Sequence, residues 1–339
     1  MNSLGIYIGD KKIGDGEPTF IVAEAGINHN GEVEIGKKLI EEAAKAGADA
    51  VKFQSYQTEL FVSRTSKHYD VFKKLELSED EFRELSKYAK KHKLIFLSTP
   101  LNLEYVDILN DIGVPAFKVA SSDLTFFPLL EKIAETRKPV ILSTGMSTLS
   151  EIHEAVDFLK ENGAKEITLL HCVSAYPTPF EEVNLKVIPV LKNMFKVPVG
   201  YSDHTLGVEV SIAAVALGAN LIEKHFTLDK NMPGPDHKLS ADPEEFKNMV
   251  ASIRTIESAL GDGCKRVMPS EKDARIHGRR SIVAKIPLKA GDLLTKDRIA
   301  YKRPGTGIET KFLNLILNRK LKKNKNADDV ITWDDLLGG

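Results

Sequence analysis

The sequence predicts a (β/α)8 TIM barrel followed by a small C-terminal domain of a different kind. Three observations carry the prediction. Eight short apolar, β-branched runs lie between Phe20 and about Leu260. Longer amphipathic stretches separate them, with apolar positions three and four residues apart. Glycine recurs where such a stretch ends and the next run begins, as in Ala46-Gly47-Ala48, Ile112-Gly113-Val114, Asn162-Gly163-Ala164 and Leu217-Gly218-Ala219. Glycine tolerates the left-handed turn that closes a helix, so this punctuation marks helix-to-strand loops. A doubly wound open sheet is the structural rival, but no Gly-x-Gly-x-x-Gly follows any of the runs.

In order, the runs are Phe20–Ala25, Ala50–Phe53, Leu94–Ser98, Ala116–Val119, Val140–Ser143, Ile167–His171, Val197–Tyr201 and Leu221–His225. Helices are expected at Glu34–Lys45, Glu79–Lys91, Leu103–Asp111, Leu149–Glu161, Val208–Leu217 and Pro243–Leu260. Ahead of the barrel, Ile6–Glu17 reads as a hairpin, so residues 1–18 are expected to cap the bottom of a synthase domain spanning 1–262. Residues 263–280, with the polar stretch Pro269–Arg280, read as a linker. The final domain, 281–339, carries short strands at Ser281–Ala284 and Ile299–Lys302 and turns at Lys289-Ala290-Gly291-Asp292 and Pro304-Gly305. Roughly 59 residues make a marginal core, so this domain is expected to dock on something.

Composition narrows the partners. Lys plus Arg number 47 against 48 Asp plus Glu, a net charge of -1. Nothing in that balance favours nucleic acid or an anionic membrane. Cys172 and Cys264 lie far apart and match no metal spacing, which suits a reducing compartment. The first 25 residues hold no uninterrupted apolar signal core, and no run approaches the length of a membrane span. A cytoplasmic protein is expected.

In a TIM barrel, polar side chains at the carboxyl ends of strands carry the chemistry. Nearly every run here ends in such a group: Glu24, Lys52, Ser98-Thr99, Lys118 with Ser121-Ser122-Asp123, Ser143, His171 with Ser174 and Tyr176, Ser202-Asp203-His204, and Glu223-Lys224-His225. Alternation with period two puts Ser202 with His204 and Glu223 with His225 on one face. The seventh and eighth strands are neighbours, so both imidazoles can point into one mouth. There they suit a divalent metal completed by water and substrate, or they serve as loop hydrogen-bonders; two ligands do not decide it.

Lys52 and Lys118 fall within apolar runs, where an unpaired ammonium is costly. Three arrangements would satisfy them: an ion pair with Glu24 or Asp123, a Schiff-base lysine, or a bound anion neutralised by both. Hydroxyls of Ser121, Ser143 and Ser202 aimed at the same mouth favour the anion, a phosphate or carboxylate. His29 and His171 read as scaffold, and Cys172 as a buried thiol with nothing nearby to activate it. His68, His92, His153 and His277 read as solvent-facing, and Lys311–Lys325 as a solvated face.

Taken together, AEAGINHNG (23–31), DAVKFQSY (49–56), FKVASSD (117–123), STGM (143–146), YPTP (176–179), GYSDHTLG (200–207), IEKHFTLD (222–229) and GPDHKLS (234–240) resemble the sialic acid synthase family. The tail, with GRRSIVA (278–284), KAGDLLT (289–295) and KRPGTG (302–307), resembles that family's antifreeze-like, or SAF, domain. The likeness runs in order through nearly the whole chain. It implies condensation of phosphoenolpyruvate (PEP) with an N-acylated mannosamine-type sugar, N-acetylmannosamine first. Legionaminate synthesis from a 2,4-diacetamido-2,4,6-trideoxy sugar is the nearest alternative, and GPDH (234–237) disfavours pseudaminate.

The resemblance also implies site residues. His204 and His225 would hold a divalent metal, Mn2+ by preference, with Mg2+ or Co2+ as alternatives. Lys52, Lys118, Ser121, Ser143, Ser174 and Ser202 would bind PEP. Tyr176 and Asp236 would contact the sugar, with Arg303 reaching over from the partner subunit of a domain-swapped homodimer. Ser174 stands where many members have asparagine and Asp123 where many have glutamate. Glu24, then Glu223, with Asp123, are the carboxylates for proton handling. Two other classes remain: a Schiff-base lyase, which would trap pyruvate on Lys52 or Lys118, and a carbohydrate- or ice-binding protein, which would not need so many ionisable strand ends.

Overall fold

A computed structural model of the chain describes residues 5–338. The chain divides into two compact units, 1–261 and 262–339. In the first, β1 (Ile6–Ile8) pairs antiparallel with β2 (Lys11–Ile13). Eight parallel strands follow: β3 (Phe20–Gly26), β4 (Ala50–Ser55), β5 (Ile95–Pro100), β6 (Phe117–Val119), β7 (Val140–Ser143), β8 (Ile167–His171), β9 (Val199–Asp203) and β10 (Leu221–His225). Their hydrogen-bonded order is β5-β4-β3-β10-β9-β8-β7-β6. The two end strands, β5 and β6, run side by side without a ladder, so the cylinder is nearly closed.

The connecting helices are α1 (Val33–Ala46), α4 (Glu79–Lys91), α5 (Leu103–Ile112), α6 (Phe127–Glu135), α7 (Leu149–Glu161), α8 (Val187–Phe195), α9 (Glu209–Ala216) and α10 (Pro243–Leu260). Two shorter ones, α2 (Thr58–Phe61) and α3 (Tyr69–Leu75), lie between β4 and α4. Their sequence gave no periodicity to predict them. Three long helices begin in capping boxes: Glu81 N donates to Ser78 Oγ while Ser78 N donates to Glu81 Oε2, and Thr148 with Glu151 and Asp242 with Glu245 repeat the pattern. At the other end, Gly47 and Gly113 both take φ 87°, which an L side chain resists. The seventh strand starts two residues later than predicted, because Pro198 has no N–H to donate to a ladder.

Alternation along the strands sorts the interior into layers. Phe20 and Val22 of β3, Ala50, Leu97, Ile141, Leu170 and Leu221 point inward and pack with Ile6, Ile8 and Ile13 of the β1–β2 hairpin. This is an apolar floor, plugged from below by the hairpin as expected. The opposite faces of the strands, such as Ile21, Val51, Phe53 and Leu142, bury against Leu39, Phe82, Leu85 and Ile133 of the helices. Polar groups on that outer face must pair internally. Lys224 Nζ lies 2.9 Å from Asp203 Oδ2, which also accepts from Ser211 Oγ of α9, and the whole cluster is buried.

In the second unit, β11 (Ser281–Ala284) pairs antiparallel with β12 (Ile299–Lys302) over a core that includes Ile282, Leu288, Leu294, Ile308, Ile316 and Ile331. Two sequence expectations need correction here. Residues 263–280 are not a bare linker: they contain α11 (Lys272–Gly278), fully exposed, whose Ile276 carbonyl accepts from Gly305 N at 2.6 Å. Lys311–Lys325 is not uniformly a solvated face either. Lys325 is largely buried, with Nζ 2.6 Å from Asp335 Oδ2, and Lys323 Nζ lies 2.9 Å from Oδ1 of the same buried carboxylate. A desolvated carboxylate needs such cations, and together with Thr332 they hold its pKa far below the ordinary range against the opposing effect of burial. Among the described residues no helix is long and apolar enough to cross a membrane.

Candidate active site

Two residues along each strand from the apolar floor comes a polar layer. Glu24 follows Val22, Lys52 follows Ala50, Thr99 follows Leu97 and Lys118 follows Ala116. Ser143 follows Ile141, Cys172 follows Leu170, Ser202 follows Gly200 and Glu223 follows Leu221. All eight line one cavity, joined a step higher by Gln54, Leu101, Ala120, His204 and His225. Period two therefore turns a ring of strand ends into a ring of converging side chains.

The two buried lysines differ. Lys52 Nζ lies 2.7 Å from Glu24 Oε2 and 3.6 Å from Glu223 Oε2, and donates to Thr99 Oγ1 at 3.1 Å. Its partner is thus Glu24, one of the two carboxylates expected, and not Asp123. Lys118 Nζ donates to Ser143 Oγ at 2.6 Å and to the Val119 carbonyl at 2.8 Å; among the described residues it forms no ion pair. Burial lowers its pKa, and the Lys52 charge adds to the effect, partly offset by Glu223. Burial, with help from Glu223, pushes the Glu24 carboxyl up to about 7 in spite of Lys52. Glu223 suffers the same burial, yet the two ammonium groups hold it down to about 2. The two shifts run in opposite directions, so Glu24 is the carboxylate of the pair that takes a proton more readily and Glu223 the one that the lysines favour as an anion.

Next to this layer stand the histidines. Their ring centroids are 5.5 Å apart, and the Tyr176 ring lies 4.2 Å from that of His204. His204 Nδ1 is 2.7 Å from the Val173 carbonyl, so Nδ1 carries the proton and Nε2 keeps its lone pair. His225 Nδ1 is buried without a hydrogen-bond partner, 3.8 Å from Asp236 Oδ2. Burial lowers both imidazoles, His225 to about 4, which keeps them neutral. An orphaned buried nitrogen beside a second imidazole with a free lone pair fits a divalent cation. Among the described residues no cluster of three or more His, Cys, Asp or Glu side chains could hold one, so water and substrate would complete the coordination.

Not every expected residue lines the cavity. Ser121, Ser143, Ser202 and Tyr176 do. Ser174 instead lines an adjoining, more apolar groove with Met146, Leu149 and Val190. Asp123 and Asp236 lie outside the lining. The Asp123 Oδ2 atom is buried without a partner, and burial pushes that carboxyl up to about 6. Arg303 belongs to the second unit, where it is exposed. His171 is scaffold, its Nε2 2.7 Å from the Val183 carbonyl. Thr99, Gln54, Cys172, Phe61 and Phe72 line the cavity without having been assigned a role. Parity could have found Thr99 and Cys172. No sequence signal marks Phe61 and Phe72, whose rings pack edge to face at 5.1 Å on α2 and α3.

The chain matches the NeuB family over residues 39–265 and the SAF domain over residues 279–337. It is 63% identical to an uncharacterized protein of Methanocaldococcus jannaschii over 98% of this chain and 99% of that one. It is 47% identical to the N,N'-diacetyllegionaminic acid synthase of Campylobacter jejuni over 92% of this chain and 98% of the relative. Among solved structures it resembles an N-acetylneuraminic acid synthetase of Leptospira borgpetersenii in complex with citrate. That match has a TM-score of 0.77 and 39% identity, and covers 80% of this chain and 95% of the other.

Proposed function

The chain belongs to the NeuB family of sialic-acid-type synthases, and from that premise we propose that it condenses PEP with an N-acylated mannosamine-type sugar, releasing phosphate. The observation that carries the reading is Lys118: a buried ammonium with no carboxylate partner, set among the hydroxyls of Ser121, Ser143 and Ser202 at the foot of one cavity. A trianionic small molecule supplies the missing counter-charge. The phosphate would face Lys118 and the serines, and the PEP carboxylate would face Lys52, Thr99 and Gln54.

His204 and His225 would hold a divalent cation, Mn2+ by preference, which supplies Lewis-acid polarisation of the acceptor's aldehyde oxygen. As C3 of PEP bonds to the acceptor C1, positive charge develops at C2, facing the anion of Glu223. Water adds at C2 and its proton passes to Glu24. The bond from C2 to the phosphate ester oxygen then breaks as the C2 hydroxyl gives up its proton and closes to the ketone. The water's two protons end on the departing phosphate, which leaves into the Lys118 cup, and on the new C1 oxygen of the acceptor. Glu24 must be deprotonated to do this. With its carboxyl up at about 7, kcat/KM for PEP should fall as pH drops through that value, and Glu24→Gln should be slow and lack this limb. An unchanged limb in the variant would remove Glu24 from the role.

The acceptor is the finer question. Identity is higher to the legionaminic acid synthase than to the N-acetylneuraminic acid synthetase, 47% against 39%. A second legionaminic acid synthase, of Legionella pneumophila, is 40% identical, so the 2,4-diacetamido-2,4,6-trideoxy sugar stands beside the N-acetylmannosamine read from the motifs as a candidate acceptor. Phosphate release from PEP with Mn2+ and either sugar tests both; release with neither sugar overturns the reading. For Arg303 we retain the role of an acceptor contact given across a homodimer. Arg303→Ala should raise the acceptor KM strongly while PEP affinity stays nearly unchanged. If the arginine acts in trans, mixing inactive Lys118→Met protein with Arg303→Ala protein, then letting subunits exchange, should restore activity. Failure to complement would place its action within one chain.

A further inference from the structure

We infer that Cys172 is a positioning residue of the phosphate cup, acting through Ser121; the inference rests on the PEP reading above. Three groups meet at this point. Ser121 Oγ is 3.0 Å from Cys172 Sγ, and Gly145 N donates to the same oxygen at 3.0 Å. Cys172 lies in the inward-facing polar layer, at 5% exposure, with its side chain in the cavity wall. The approach is close enough to exclude any side chain at position 145: a Cβ there would overlap Ser174 Oγ and lie 2.9 Å from both Cys172 Sγ and Ser121 Oγ.

A serine hydroxyl has one proton to give and two lone pairs to fill. The Gly145 N–H fills one pair. The Cys172 contact has two polarities: Ser121 gives its proton to sulfur, or the thiol gives its proton to the Ser121 oxygen. Sulfur is a weak acceptor, while a phosphate oxygen is a strong and charged one. With an anion beside Lys118, the second polarity makes both bonds and the first forgoes the charge-assisted one. In that arrangement the thiol and the amide together fill both lone pairs of Ser121 Oγ, and its proton has nowhere to point but the cavity. Cys172 thus fixes the hydroxyl as a donor before the anion arrives, without touching the reacting atoms.

A double-mutant cycle tests this. Cys172→Ala should raise the KM for PEP and the inhibition constant of inorganic phosphate about tenfold, the worth of one charge-assisted bond. The acceptor KM should stay at its wild-type value. Cys172→Ser, which keeps a donor, should restore both phosphate readouts. In a Ser121→Ala background the Cys172→Ala change should add nothing. If the alanine variant does not fold, Cys172→Val, similar in volume and without a donor, carries the same expectation. Wild-type affinity for phosphate and PEP in the donor-less variant, or the same tenfold loss in the Ser121→Ala background, overturns the inference. Wild-type protein that fails to bind PEP or phosphate overturns the underlying reading instead.

Discussion

Replacing Lys118 with methionine is expected to lower kcat/KM for PEP by about three orders of magnitude and, in the same protein, to raise the melting temperature without ligand. The two effects have one origin. An ammonium with no carboxylate partner loses several kcal/mol of solvation on burial. Its bonds to Ser143 Oγ and the Val119 carbonyl return about 1.5 to 3 kcal/mol each, which leaves part of that cost unmet. Methionine has similar length and no charge, so it recovers the desolvation cost of the ammonium, less the support that Lys118 lends the buried Glu223 carboxylate, which keeps Lys52 at 3.6 Å. On the proposed reading, the anion that binds there is then left without a counter-charge. Inorganic phosphate should raise the melting temperature of the wild type and leave that of the variant unmoved. A variant that is less stable when empty yet still binds phosphate would show that Lys118 is structural.

The second large effect concerns the histidines. His204→Ala and His225→Ala should each abolish turnover, by roughly a thousandfold or more, since Lewis-acid stabilisation amounts to several kcal/mol. Each variant should also lose manganese on dialysis, read as bound metal per chain rather than as activity. EDTA should do the same to the wild type, and added Mn2+ should reverse it. Either variant holding stoichiometric metal, or turning over in EDTA, rules out the metal role. The partner groups sharpen the expectation. The Val173 carbonyl already fixes the His204 tautomer, whereas His225 Nδ1 has no partner and needs one.

Much of this site is legible in the sequence, because strand parity is a local rule. Ser202 with His204, and Glu223 with His225, follow from spacing alone, as does their convergence once adjacent strands are assumed. The difference between the lysines was not legible. Both sit in similar apolar runs, but cross-strand register sets Glu24 beside Lys52 and Ile141 beside Lys118. That register belongs to the assembled sheet, not to either segment. The same holds for Ser174, Asp123 and Asp236. They lie in loops and short 3-10 turns beyond the strand ends, where period two no longer says which way a side chain points. Phe61 and Phe72 ride on helices too short to show a period, and α11 has no buried face to betray it.

The hairpin under the barrel has a kinetic consequence. Ile6, Ile8 and Ile13 stopper the cylinder, so it is a well and not a tunnel, and traffic passes through a single mouth. A molecule seated at the depth of Lys118 and Ser143 is roofed by whatever binds at the level of His204 and His225. On the proposed reading, loading would then be a queue: the phosphate-bearing reactant would have to enter first, and an acceptor arriving early would block the way down.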